Sequence, residues 1–161
     1  MYEQTTLWSQ QAISNNVDSS SPPEKTVLSV DGEVIFYKNF FGTDESNKLF
    51  DELYSGTEWQ QETIQIFGKR TPLPRLTAWH GDAGKTYIYS GIEQRPAPWT
   101  PTLSSIKARI EKIAEVEFNS VLLNLYRNGR DSVAWHSDDE PELGQNPVIG
   151  SVSFGATRRF S

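Results

Sequence analysis

The spacing of apolar residues predicts two helices. After the start signal Thr43-Asp44-Glu45-Ser46, apolar residues recur every three to four positions up to Gly56, as on one face of an amphipathic helix. The same spacing runs on from Pro101, which is a favoured first helical residue and follows the capping residue Thr100. The apolar faces are Leu49, Phe50, Leu53 and Tyr54 in the first helix, and Leu103, Ile106, Ile110 and Ile113 in the second.

Short apolar runs between turn residues predict strands. Residues 26–40 alternate around Asp31-Gly32, which is typical of a small hairpin, and Asn128-Gly129 marks a later turn. The other predicted strands are Thr63 to Phe67, Leu76 to Trp79, Tyr87 to Tyr89, residues 118–126, Ser132 to Trp135, Val148 to Phe154 and a start at Arg159-Phe160. Helices first and strands later favour an α+β domain, with helices on one face of a mostly antiparallel sheet.

Composition favours one domain with a tail. Residues 1–25 are rich in Ser, Gln and Asn, which predicts a disordered tail before a folded domain at 26–161. Hydrophobic residues make up 36% of the 161 residues, enough for a sizeable core. The absence of cysteine excludes disulfides, iron–sulfur clusters and thiolate zinc sites. The start shows no signal-peptide pattern and no apolar run approaches membrane-spanning length. We therefore expect a cytoplasmic monomer, or a nuclear one in a eukaryote, with no membrane partner.

Charge is spread unevenly along the chain. The net charge is −6, but residues 1–60 contain ten acidic and three basic residues, whereas residues 61–161 contain eleven acidic and twelve basic ones. Between positions 66 and 90 the only acid is Asp82, and the bases are Lys69, Arg70, Arg75 and Lys85. Such a patch suits a polyanionic ligand such as a nucleic acid, although an ordinary solvated face has the same composition.

The residues best suited to chemistry lie in the last third. In His136-Ser137-Asp138 an imidazole and a carboxylate are two positions apart at a predicted strand end, so alternation directs both to one side. They match two of the three ligands of the facial triad that binds non-haem iron(II), but a tripeptide of this kind also occurs in surface loops. By the same alternation Asn124 and Tyr126 share a face of the preceding strand. On that face their side chains would bind a keto acid or, as the alternative, would make hydrogen bonds with other protein groups inside a β-barrel.

Two longer segments resemble the AlkB family of iron(II)- and 2-oxoglutarate-dependent dioxygenases, particularly the branch that works on double-stranded DNA. They are PRLTAWHGDAGKTYIYSG from Pro74 to Gly91, and NLYRNG followed by WHSDDEPELGQNPVIGSVSFGATRRF between Asn124 and Phe160. Weaker similarity extends back to about Val34. The resemblance implies a double-stranded β-helix, or jelly-roll, core preceded by a nucleotide-recognition lid.

The resemblance also implies roles for individual residues. His136 and Asp138 would bind Fe(II), and Asn124 and Tyr126 would contact the cosubstrate 2-oxoglutarate, with O₂ as the oxidant. A pocket for the flipped base would be formed by Tyr87, Tyr89, Ser90, Asp139 and Glu140. The residues implied in nucleic-acid binding are Ile66, Phe67, Gly68, Lys69, Arg70, Arg75 and Lys85. Phe67 would fill the gap left in the base stack by the extruded base. The alternative role for Phe67, and for the pocket residues Tyr87 and Tyr89, is ordinary packing in the hydrophobic core.

The implied reaction is oxidative dealkylation of 1-methyladenine and 3-methylcytosine in DNA, as a repair activity. The family pattern also needs a second histidine ligand downstream of His136, and the only other histidine is His80, at a position that is usually aromatic in the lid. Two arginines that hold 2-oxoglutarate would lie beyond Ser161. We therefore expect a fragment without the C-terminal strands, inactive alone. The alternatives are a non-catalytic nucleic-acid-binding module or inactive remnant, and a 2-oxoglutarate hydroxylase acting on RNA, protein or lipid.

Overall fold

The computed structural model describes residues 4–7, 24–27, 33–84, 87–89, 92–136 and 146–158. The helices are α1 (Thr43–Gly56) and α2 (Pro101–Ala114). The strands are β1 (Gln4–Leu7), β2 (Glu24–Val27), β3 (Glu33–Phe36), β4 (Thr63–Ile66), β5 (Lys69–Pro72), β6 (Leu76–Gly81), β7 (Tyr87–Tyr89), β8 (Ile92–Gln94), β9 (Ser120–Tyr126) and β10 (Val152–Gly155). Each pair of these strands is antiparallel, so the predicted combination of helices with antiparallel sheet is confirmed.

The largest sheet has the strand order β10-β1-β9-β6. Along the β6–β9 ladder the register runs from Leu76 opposite Leu125 to Gly81 opposite Ser120. The outer edge of β6 is covered in part by backbone hydrogen bonds from Gln60 and from the loop before α2. Three separate hairpins, β2–β3, β4–β5 and β7–β8, extend from this framework.

Both predicted helices are confirmed. In α2 the Thr100 hydroxyl accepts a hydrogen bond from the Leu103 amide at 3.2 Å, which satisfies one of the free donors of the first turn. In α1 the cap is Gly42, and acidic residues in the first turn complement the positive end of the helix dipole. Neither helix in this part of the chain has the length and apolar character that a membrane crossing requires.

The core lies between the two helices and one face of the sheet. Its buried cluster consists of Phe41, Leu49, Leu53, Leu103, Ile106, Val121, Leu123 and Phe154. On β9 the residues Val121, Leu123 and Leu125 are buried, whereas Ser120 and Leu122 are exposed and Asn124 is half-buried. Alternation along β9 therefore directs Val121, Leu123 and Leu125 to the helices and Leu122, Asn124 and Tyr126 to the opposite face.

Several strand predictions differ from the structure. The strand predicted at Ser132 to Trp135 is wrong: these residues are exposed, and the Ser132 amide bonds to the Pro74 carbonyl, which lies in a loop. The strand predicted from Val148 begins only at Val152. A strand depends on a hydrogen-bonded neighbour as well as on its own residues, and no strand described in the structure pairs with residues 132–135 or 148–151.

Strands that the sequence pattern did not indicate are β1, β5 and β8. Within the region predicted to be a disordered tail, β1 lies between β9 and β10, and β2 begins at Glu24. β5 ends at Pro72, a residue that discourages a strand prediction but is tolerated where no ladder donor is needed. The strand start predicted at Arg159-Phe160 lies outside the described residues.

Candidate functional site

Asn124 and Tyr126, the predicted cosubstrate residues, lie on the sheet face opposite the helices. Asn124 Oδ1 accepts a hydrogen bond from Arg75 Nε at 2.7 Å. Tyr126 is buried, and the Arg158 guanidinium lies 4.6 Å from the centre of its ring, a cation–π contact. The structure thus brings Arg75, which the resemblance implies in nucleic-acid binding, to the same sheet face as Asn124, where a hydrogen bond orients both side chains.

The turn after β9 is closed by an ion pair between Arg127 and Asp131. Asp131 is only 5% exposed, and its carboxylate accepts hydrogen bonds from Arg127 N at 2.9 Å, Nε at 2.7 Å and Nη2 at 3.1 Å. The hydrogen bonds from the Arg127 side chain lower the pKa of the Asp131 carboxyl. The same pairing raises the pKa of the Arg127 guanidinium. The sequence analysis missed this pair, although opposite charges on either side of Asn128-Gly129 were a usable signal.

Arg158 joins this turn to the end of β10. Its Nη1 donates to the Asn128 carbonyl at 3.1 Å, and its Nη2 donates to the Asp131 carbonyl. Together with the contact to Tyr126, these bonds hold the carboxyl ends of β9 and β10 to one another. The sequence offered no signal for this role, because Arg158 lies 27 residues from Asp131 in the chain.

His136, the predicted iron ligand, is exposed and follows the turn after β9. Its Nδ1 lies 2.9 Å from the Ala134 carbonyl oxygen. Because a carbonyl oxygen only accepts, this contact is a hydrogen bond in which Nδ1 is the donor. A histidine that binds a metal through Nε2 holds its other nitrogen on a backbone acceptor in the same way.

The described residues fit an iron ion in part. They include His136, whose Nδ1 lies on a backbone acceptor, while the predicted partner Asp138 lies outside them, as do Asp139 and Glu140. His80, which we do not predict to be a ligand, is 7% exposed within β6, and its Nδ1 lies 2.7 Å from the Pro98 carbonyl. No three His, Asp or Glu side chains in the described part of the chain lie together as metal ligands would.

The β4–β5 hairpin carries the predicted nucleic-acid contacts. Phe67 and Gly68 form its two-residue turn with φ angles of 47° and 79°, and Ile66 pairs with Lys69 across it. Phe67 is fully exposed, at 106% of its reference area, so core packing is excluded for this residue. Lys69 and Arg70 follow on β5 and are also exposed. An aromatic ring and two cations therefore lie together at a projecting tip.

The predicted base-pocket tyrosines lie on the β7–β8 hairpin. Tyr87 pairs with Gln94, and Tyr89 pairs with Ile92. Ser90 and Lys85 lie outside the described residues.

Residues 33–161 match the sequence profile of the 2OG-Fe(II) oxygenase superfamily, and the chain belongs to this family. The predicted AlkB-like membership is thereby confirmed, as is the prediction that the family's reagents are iron(II), 2-oxoglutarate and O₂. A jelly-roll core is the fold of this superfamily, which agrees with the antiparallel sheets described above.

Individual relatives share between a third and a half of the aligned residues. The human alpha-ketoglutarate-dependent dioxygenase alkB homolog 3 is 46% identical over 128 residues, which are 79% of this chain and 44% of the relative. The mouse DNA oxidative demethylase ALKBH2 is 40% identical over 141 residues, or 86% of this chain and 59% of the relative. The DNA oxidative demethylase ALKBH2 of Arabidopsis thaliana is 36% identical over 154 residues, which are 92% of this chain and 49% of the relative. The chain thus spans about half the length of these relatives.

Proposed function

We propose that this chain is the substrate-recognising part of an oxidative demethylase that removes alkyl groups from N-alkylated bases in DNA. The substrates are 1-methyladenine and 3-methylcytosine, with duplex DNA preferred, and the setting is the cytoplasm or, in a eukaryote, the nucleus. The relatives named for DNA oxidative demethylation support the reaction class. The preference for a duplex is supported by the hairpin.

The observation that carries the proposal is the conformation of Phe67. A bulky L-residue at positive φ crowds its own backbone, and a fully exposed aromatic ring gains nothing from burial. The two-residue turn requires positive φ at both positions, so folding accounts for the backbone but not for a bulky, exposed aromatic residue at Phe67. A ring held at a projecting tip beside Lys69 and Arg70 suits insertion into a base stack, where it restores the stacking lost when a base is extruded.

The remaining predicted residues take roles around the extruded base and the cosubstrate. Asn124 and Tyr126 would hold 2-oxoglutarate on a sheet face that Arg75 and Arg158 already order. Tyr87, Tyr89 and Ser90 would contact the base, together with Asp139 and Glu140. His136 and Asp138 would hold the metal, and bound iron(II) with 2-oxoglutarate supplies the oxidation of the alkyl carbon.

One observation also favours metal-independent DNA binding by the chain as it stands. The only histidine besides His136 is His80, which is buried and bonded to Pro98. The hairpin and its cations, by contrast, need no metal to contact a phosphate backbone. The recognition step is therefore open to measurement apart from catalysis.

Duplex binding tests the proposal. Fluorescence anisotropy measures the affinity of the chain for a labelled duplex that contains one 1-methyladenine, for the unmodified duplex and for the single strand. We expect Phe67→Ala to weaken binding to the methylated duplex about tenfold, since stacking of one base on an aromatic ring is worth about 1–3 kcal/mol. Lys69→Gln with Arg70→Gln should reduce the dependence of log affinity on log salt by about one to two units.

The matched control is Ile113→Ala, which removes an exposed apolar side chain from α2, away from the hairpin. It should leave duplex affinity unchanged. Equal affinities of the parent chain and the Phe67→Ala variant for the methylated duplex would overturn the assignment of the hairpin, and with it the proposed recognition of duplex DNA.

A further inference from the structure

A chain of hydrogen bonds joins the turn after β9 to the loop that follows the β4–β5 hairpin. Gln61 is its middle member: Oε1 accepts from Arg127 Nη1 at 2.9 Å, and Nε2 donates to the carbonyls of Leu73 at 2.6 Å and Arg75 at 3.0 Å. On its other side Arg127 binds Asp131 through Nε and Nη2. We call the side chains of Gln61, Arg127 and Asp131 the linking network.

The backbone repeats this connection at the same place. The Ser132 amide donates to the Pro74 carbonyl at 2.8 Å. Ser132 directly follows Asp131, and His136 comes four residues later. The loop at 73–75 directly follows β5, the strand that carries Lys69 and Arg70. The hairpin and the segment that leads to His136 are therefore joined at one junction.

The chemistry of each member suits a link, although Gln61 itself is exposed. Gln61 uses its amide oxygen toward Arg127 and its amide nitrogen toward two carbonyls, and among similar side chains neither a carboxylate nor an amine offers both functions. Asp131 is almost fully buried, and its carboxylate accepts hydrogen bonds from Nε and Nη2 of the Arg127 guanidinium. The remaining nitrogen, Nη1, therefore points toward Gln61.

We propose that Gln61 and Arg127 are positioning residues, which set the orientation of the β4–β5 hairpin relative to the segment that carries His136. The inference rests on the proposed function, since it assumes that the hairpin binds DNA. It adds that the linking network fixes the position of the hairpin tip relative to the candidate metal ligand. A duplex bound at the tip then presents its extruded base at a defined distance from His136.

Hydrogen exchange tests the physical link in the intact chain. Gln61→Leu removes both functions of the amide, and we expect the Ser132 amide to exchange about fivefold faster, as for the loss of one ordinary hydrogen bond. Gln61→Glu keeps an acceptor for Arg127 but loses the donor to the loop, so the same acceleration is expected. Gln60→Leu makes the identical change one residue earlier and should leave Ser132 unaffected. Unchanged exchange at Ser132 in Gln61→Leu would overturn the link.

A comparison of two DNA probes tests the positioning role. Gln61→Leu should weaken binding of the methylated duplex about fivefold and leave binding of the methylated single strand unchanged, because only the duplex requires the tip and the site to act together. Equal weakening of both probes would show a merely structural role and overturn the inference. A loss with Phe67→Ala but none with Gln61→Leu also rejects the inference alone. No loss with either variant rejects the proposed function itself.

Discussion

On the sheet face away from the helices, Asn124 is half-buried and Tyr126 is buried, each in contact with an arginine, whereas Phe67 projects from a two-residue turn with its ring fully exposed. The sheet face is organised by the fold itself, through Arg75, Arg158 and the Arg127–Asp131 pair. The hairpin tip has a fixed backbone but no packing around its aromatic ring. The two regions thus differ in whether their side chains are held by the protein or presented to a ligand.

This difference separates stability from recognition. A residue that the fold holds contributes to the free energy of unfolding, and its loss is felt throughout the domain. A residue that projects from a turn can be changed with little effect on the free energy of unfolding, and its loss changes only the affinity for a ligand. The same pair of measurements, unfolding and binding, therefore distinguishes the two regions.

The largest expected effect comes from the side of the sheet that faces the helices. Leu123 is 0% exposed, so Leu123→Ala should lower the free energy of unfolding by about 3 kcal/mol through lost burial and a residual cavity. Phe67→Ala removes a larger side chain but should change it by less than about 0.5 kcal/mol. Urea unfolding followed by tryptophan fluorescence measures both. A similar loss in the two variants would show that the tip is packed after all.

Asp131 gives the next largest effect and a distinct pH dependence. Asp131→Asn should lower the free energy of unfolding by about 2 kcal/mol at pH 7, since it weakens charge-assisted hydrogen bonds to Arg127. The folded-state pKa of Asp131 is lowered, so its stabilisation is present above the unfolded pKa of about 3.9 and is lost as pH falls through the folded pKa. The gap between parent and variant should therefore shrink below about pH 4.

The control for this measurement is Asp51→Asn on the exposed side of α1. It makes the same chemical change without a partner arginine among its described contacts, and should show a gap near zero at pH 7. A gap for Asp131→Asn that stayed constant from pH 7 to pH 3 would rule out the ion pair as its source.

The smallest effect concerns the turn of the hairpin. Gly68 has a φ of 79° with no atom within 4 Å of an added Cβ, so Gly68→Ala should cost about 1 kcal/mol from backbone conformation alone. Gly56, at the end of α1, has equally open space and no positive φ, and Gly56→Ala should be neutral or slightly stabilising. Hydrogen exchange of the β4–β5 amides measures the difference. Equal exchange in the two variants would argue against a strained turn.

The local sequence predicted the helices well because their signals are local. Thr100, Pro101 and the apolar stripe of α2 lie within one short segment, and the structure places them as expected. The strand at β9 and the shared face of Asn124 and Tyr126 followed in the same way from alternation. The family resemblance added the hairpin tip, which alternation alone read as the end of a strand at Phe67.

Other features depended on residues far apart in the chain. Nothing in residues 1–25 indicated that β1 pairs with β9 and β10, because a four-residue strand is stabilised by its neighbours rather than by its own composition. The predicted strand at Ser132 to Trp135 was wrong for the converse reason. The resemblance implied a nucleic-acid contact for Arg75, which stays a prediction, and no local signal indicated its hydrogen bond to Asn124, 49 residues away.

By itself the sequence determined the two helices, the buried strand at β9, the exclusion of thiolate chemistry and membership of the oxygenase family, since each depends on local spacing or residue identity. Only the tertiary structure decided which side chains hold one another: Arg158 over Tyr126, and Gln61 between Arg127 and the loop at 73–75. The physical reason is that a hydrogen bond or ring contact acts over a few ångströms in space. The sheet topology, which joins distant segments, determines where those few ångströms occur.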